Sequence, residues 1–126
     1  MMTKKSAMIL FAHGARDPRW AAPFQRLQVM TQQSLPDVAV ELAFLEFMTP
    51  NLNDLVTRLV QEGCEKITVS PIFLGQGGHV LRDLPLMMAA LGETFPALQL
   101  QQLAAVGEDE AVLQAIRDYC VKSSGI

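Results

Sequence analysis

With 126 residues the chain has room for one domain and a single core, and its mix of 50% apolar and 18% charged residues is that of a globular fold rather than a disordered segment. A net charge of −3 gives no electrostatic reason to expect nucleic acid as a partner. One α/β domain over residues 1–126, without linker, repeat or low-complexity tract, is the expected organisation.

Taken in chain order, Lys4 and Lys5 precede an apolar run, AMILFA, at residues 7–12. That run is too short for the apolar region of a signal peptide and far too short to cross a bilayer, so it reads as a first strand and the protein as cytoplasmic, with no membrane partner. Phe24, Leu27 and Met30 fall on one face of a first helix, and residues 39–45 form a second apolar run. Pro50 and Asn51 open a second helix carrying Leu52, Leu55, Val56, Leu59 and Val60, and Gly63 closes it. A third strand is expected over 66–71, and a third helix carries Leu81, Leu84, Met87, Met88 and Leu91, with Gly92 and Pro96 at its end. A weaker fourth run spans 98–103, and Asp109 is placed to cap a last helix bearing Val112, Ile116 and Tyr119. Strand and helix therefore alternate throughout. Near-continuous apolar strands joined by right-handed crossovers give a small four-stranded parallel sheet with helices on both faces.

Cys64 and Cys120 belong to no CxxC motif and are expected at helix-flanking positions as reduced, structural residues. Met8, Met48, Met87 and Met88 stand at apolar spacing and read as core packing rather than soft-metal ligands. Trp20 either packs under the first loop or walls a ring-binding site.

In an open parallel sheet ligands bind beyond the carboxyl ends of the strands, beside the point where strand order reverses. Three loops then share one edge: that after strand one with His13, Arg16, Asp17 and Arg19, that after strand two starting at Glu46, and IFLGQGGHVLRD at 72–83. His13, Glu46 and His79, separated by 33 residues in each interval, form the only His/Glu combination this topology gathers. Two imidazoles and a carboxylate suit a borderline divalent metal such as cobalt, iron, nickel or zinc with coordination positions left open. His79 is expected near the start of the third helix, whose dipole disfavours the imidazolium and keeps the ring neutral. Glu46, inside FLEFM, is a carboxylate among apolar neighbours; it is costly to bury unless paired, and the plainer alternative is a strand-end glutamate reaching solvent. The glycines of GQGGH lack the lysine of a P-loop and the spacing of a dinucleotide fingerprint, and there is no G-x-S-x-G elbow, so nucleotide binding and hydrolysis are disfavoured. Arg16, Arg19 and Arg82 are surface charges by default, but on this rim they match substrate carboxylates.

FAHGARDPRW at 11–20, FLEF-x-x-PNL at 44–52 and SPIFLGQGGHVLRDLP at 70–85 together resemble the short form of the sirohydrochlorin cobaltochelatase/ferrochelatase family, the class II chelatases of cobalamin and sirohaem biosynthesis. The resemblance covers nearly the whole chain and implies a half-chelatase, flavodoxin-like βαβα domain. It implies a lyase that inserts a divalent metal, cobalt or iron with nickel also admissible, into a modified tetrapyrrole without ATP or a permanent cofactor. His13, His79 and Glu46 would surround the incoming metal, with Glu46 left open between ligand, proton acceptor and orienting group. Gly77 and Gly78, with Arg16, Arg19 and Arg82, would face the acidic macrocycle. Longer members fuse two such halves around one cleft, so a half-length chain is expected to form a homodimer. The competing expectation is a non-catalytic carrier of metal or tetrapyrrole that uses the same rim.

Overall fold

The strands β1 (Ser6–Ala12), β2 (Ala39–Phe44), β3 (Lys66–Pro71) and β4 (Gln99–Gln102) alternate with the helices α1 (Ala22–Ser34), α2 (Leu52–Gln61), α3 (Gly78–Thr94) and α4 (Glu110–Ser124). This computed structural model describes residues 4–75 and 78–126, the side chains of 78–81 excepted. Every strand pair is parallel and the order is β2-β1-β3-β4. The chain thus runs outward from β1 to β2 and then crosses back to β3 and β4. Right-handed crossovers put α1 on one face of the sheet and α2 and α3 together on the other; α1 accordingly packs on β2, and α2 touches α3. The expected α/β architecture is the one found.

The larger core lies on the α2–α3 face. Ala7, Ile9 and Phe11 alternate toward it from β1, Ile67 and Val69 from β3, and Leu52, Leu55, Val56 and Leu59 descend from α2 at helical spacing. Asn51 starts α2 by accepting a hydrogen bond from the Asp54 amide on its side-chain oxygen at 2.8 Å. On the opposite face α1 protects the edge strand β2. The Gln28 amide donates to the Val40 carbonyl at 3.0 Å, and the Gln32 side-chain oxygen accepts from the Val40 N–H at 3.0 Å. These inward amides displace the apolar face expected for α1: Phe24 and Leu27 are half-buried, but Met30 is 63% exposed.

Other boundaries shift for local reasons. α3 runs through Gly92 to Thr94, with Leu91 buried in the core and holding its last turn. Cys64 follows α2 and is buried, whereas Cys120 lies inside α4 and is exposed, so it flanks nothing and packs in no core. Met87 and Met88 pack against the core as expected, while Met48 lines a surface cavity. Among the described residues no helix is long and apolar enough to cross a membrane.

Candidate metal-binding rim

Because β1 sends its following helix to one face and β3 to the other, the strand order reverses between them, and the crevice above β1 and β3 is where a ligand is expected. His13 stands there, one residue past the end of β1. The main chain carries the β1–β2 ladder past the strands: Leu45 N–H donates to the Ala12 carbonyl at 2.9 Å, and Glu46 N–H to the His13 carbonyl at 3.0 Å. Backbone pairing therefore sets the two side chains next to each other, and His13 Nε2 lies 2.9 Å from Glu46 Oε1. Both side chains are about half exposed, at 50% and 49%. Glu46 is thus a strand-end carboxylate open to solvent and paired to an imidazole, not the desolvated acid that its apolar neighbours implied.

The pairing fixes a tautomer. With Nε2–H donating to the carboxylate, the lone pair of a neutral ring falls on Nδ1. The edge of Phe73, buried in the loop after β3, meets the His13 ring at a centroid distance of 6.4 Å and 89°. That loop is held in turn from below and from the side. Ile72 N–H donates to the Phe11 carbonyl at 2.8 Å, Gly107 N–H donates to the Phe73 carbonyl at 2.9 Å, and Gly107 sits so close to the Leu74 carbonyl that no side chain fits between them.

Gly14 makes the approach of the first two loops possible. Its φ of +93° suits glycine alone, and a Cβ at that position would collide with the main-chain oxygen of Glu46. Phe47, next to Glu46, adopts a φ of 67°, rare for an aromatic residue, which leaves its ring 56% exposed with the Arg16 guanidinium 4.8 Å above it. Sequence reasoning passed over Phe47 and Phe73, since an aromatic at a strand end usually packs. Arg16, Phe44, Phe47 and Met48 line an open cavity of about 390 Å³ beside the pair.

The remaining arginines differ. Asp17 caps a short 3-10 turn, Pro18–Ala21, and grips Arg19, whose Nη2 donates to Oδ2 at 2.7 Å and whose Nε reaches both oxygens at 3.1 Å. The guanidinium, with the Arg19 backbone N–H, holds the Asp17 carboxyl below the usual range of aspartate. Arg19 is therefore already engaged, and Arg16 is the better placed of the two for an incoming anion. Arg82 is exposed on the second turn of α3. Trp20 settles under the first loop, its ring 4.4 Å from that of Phe24 and 6.5 Å from that of Phe44. Gly77 lies outside the described residues; Gly78 is the first residue of α3, and His79 follows it with its side chain outside the description. Among the described residues no three His, Cys, Asp or Glu side chains form a cluster, so His13 and Glu46 stand as a pair.

Comparison with known proteins agrees with this fold. The CbiX family model matches residues 7–122. The sirohydrochlorin cobaltochelatase of Methanopyrus kandleri is 30% identical over 82 residues, 65% of this chain and 57% of its own. The chloroplastic sirohydrochlorin ferrochelatase of Arabidopsis thaliana is 26% identical over 111 residues, 88% of this chain and 49% of its own. The match thus spans about half the length of these curated relatives. Among solved structures, the CbiX protein of Marinobacter aquaeolei VT8 superposes with a TM-score of 0.84 at 30% identity, covering 95% of this chain and 98% of that one. SirB from Bacillus subtilis subspecies spizizenii, in complex with cobalt, shares the fold with a TM-score of 0.74 at 23% identity, over 94% of this chain and 50% of its own.

Proposed function

The chain belongs to the CbiX family, and on that premise we propose that it inserts a divalent metal, cobalt or iron, into sirohydrochlorin. The observation that carries this reading is the hydrogen-bonded His13–Glu46 pair, held by main-chain pairing at the reversal point of the sheet and open to solvent.

The chemistry asks for such a pair. A macrocycle of this kind must lose two pyrrolic protons as the metal sheds its other ligands, so the protein has to offer a proton acceptor and a temporary coordination sphere on one side of the ring. Nδ1 of His13, its ring oriented by the hydrogen bond to Glu46, serves as either ligand or acceptor, and the carboxylate offsets positive charge that accumulates beside it. His79, at the start of α3 across the same crevice, supplies the second imidazole in this reading. The metal is substrate, and no resident cofactor is needed.

Substrate recognition falls to Arg16 and Phe47. The exposed aromatic face offers a flat ring system a surface, and the guanidinium poised over it meets a peripheral carboxylate. Exchanging Arg16 for alanine is expected to raise KM for sirohydrochlorin about tenfold with kcat changed less than threefold, as measured by steady-state kinetics; a fall in kcat at constant KM would remove Arg16 from substrate binding. The sirohydrochlorin-bound assembly is a homodimer in this reading, since SirB has twice the matched length. Unpaired Cys64 and Cys120 support a reducing, cytoplasmic setting.

The direct test follows the absorption of sirohydrochlorin on addition of Co²⁺, Fe²⁺ or Ni²⁺, with and without protein. Catalysed spectral conversion by at least one ion supports insertion. Tight binding of macrocycle and metal without acceleration would overturn it in favour of a carrier.

A further inference from the structure

His13 is held to Glu46 through a single ring atom, and one hydrogen bond does not fix a plane. With Nε2 tied at 2.9 Å and the side chain half open to solvent, the imidazole is still free to turn about its Cβ–Cγ bond, a soft torsion with broad wells, and to swing Nδ1 out of the crevice. A second contact is needed to aim that nitrogen.

Phe73 supplies it. Its ring stands at 89° to the imidazole with a centroid separation of 6.4 Å, inside the range over which aromatic pairs attract in a perpendicular arrangement. An imidazole that turned about Cβ–Cγ would forfeit that arrangement. One contact in the plane of the ring and one across it together define its orientation.

A side chain can act as a stop only if it is itself fixed, and Phe73 is fixed from several directions. It is 8% exposed and belongs to the core, where its ring meets that of fully buried Phe11 at 6.0 Å and 85°. Main-chain bonds brace it on both sides, from Ile72 N–H to the Phe11 carbonyl and from Gly107 N–H to its own carbonyl. Phe11 lies in β1 two residues before His13, so the strand that carries the imidazole also anchors the wall it rests on. Burial alone does not ask for a planar ring here, because a leucine satisfies the same core position. We propose that Phe73 is the positioning residue of His13, a buried wall that aims Nδ1 into the crevice and thereby governs turnover without touching the substrate. Its effect on turnover rests on the chelatase reading above; its effect on the ring does not.

Phe73→Leu tests this, since it keeps an apolar side chain in the core and both main-chain bonds while removing the flat ring. It is expected to lower kcat for metal insertion about tenfold, with KM for sirohydrochlorin changed less than about twofold. In a His13→Ala background the same substitution is expected to change the residual rate less than about twofold, because the group it positions is gone. Carbon-13 relaxation reads the ring directly: the chain has two histidines, and His79→Ala assigns the signals of His13. The His13 ring is expected to show an order parameter of about 0.85 in the wild type, as rigid main chain does, and one below about 0.6 in Phe73→Leu. Phe95→Leu, at an aromatic that packs against the core ahead of β4, is expected to lower the unfolding temperature but to leave ring order and kcat as they are. If Phe73→Leu fails to fold, Phe73→Met, apolar and without a plane, decides in the same way. Unchanged ring order, unchanged kcat in a chain that inserts metal, or an equal loss of rate in the His13→Ala background would overturn the assignment. A ring that Phe73→Leu loosens, in a chain that inserts no metal, would sink the chelatase reading and leave the positioning standing; unchanged ring order in a chain that inserts metal would do the reverse.

Discussion

Replacing His13 with alanine is expected to lower the rate of metal insertion into sirohydrochlorin by a factor of about 10² to 10⁴ while the protein stays folded. The two outcomes separate because of where the residue sits. Its side chain is half exposed, its contact with Glu46 is solvated, and such exposed pairings contribute no more than about 1 kcal/mol. Its backbone partners, the Glu46 amide above all, do not depend on the imidazole. Thermal unfolding should therefore shift by no more than a few degrees. An alanine variant that retains turnover within threefold of wild type would remove His13 from the reaction, whatever its effect on stability.

The fold was legible because β1, β2 and β3 are mainly apolar runs at helix-length intervals and α2 and α4 carry clear start signals in Asn51 and Asp109. The site was half legible. Topology alone brings residues 13 and 46 to one edge, and they meet there. The reason given for Glu46 was the wrong one, for the carboxylate is solvated and its pairing follows from the continued ladder, a feature that side-chain patterns do not encode. The Arg19–Asp17 pairing has a short-range cause that the sequence does contain: Asp17 followed by Pro18 is an N-cap signature, and an acid fixed by its own turn is free to hold an arginine two residues on. Phe47 carried no signal at all, because a positive φ at an aromatic residue runs against its local preference and is set by the surrounding loop.

Gly14→Ala is expected to destabilise the protein by about 3 kcal/mol, a fall in Tm of about 10 °C, and to cost most of the activity as well. Two penalties coincide at this residue. The φ of +93° is unfavourable for any L side chain, and the methyl group would drive into the Glu46 carbonyl, which is main chain and cannot swing aside. Relief requires the loop after β2 to retreat, which parts Glu46 from His13. Gly92→Ala provides the contrast, since a methyl there meets nothing within 4 Å and the residue is helical; its Tm is expected to stay level or to rise by a few degrees. Calorimetry on both variants checks the pair of expectations, and a Gly14→Ala protein as stable as wild type would show that the loops have slack.

The hydrogen bonds from Leu45 to Ala12 and from Glu46 to His13 involve no side-chain atom. Side-chain identity at positions 13 and 46 is thereby uncoupled from scaffold integrity: a nitrogen, oxygen or sulfur group can be exchanged there while the spacing between the two anchor points persists. In the chelatase reading proposed above, a lineage carrying this frame has a direct path to new ion preferences, one codon at a time, with the backbone pairing of the two loops left in place.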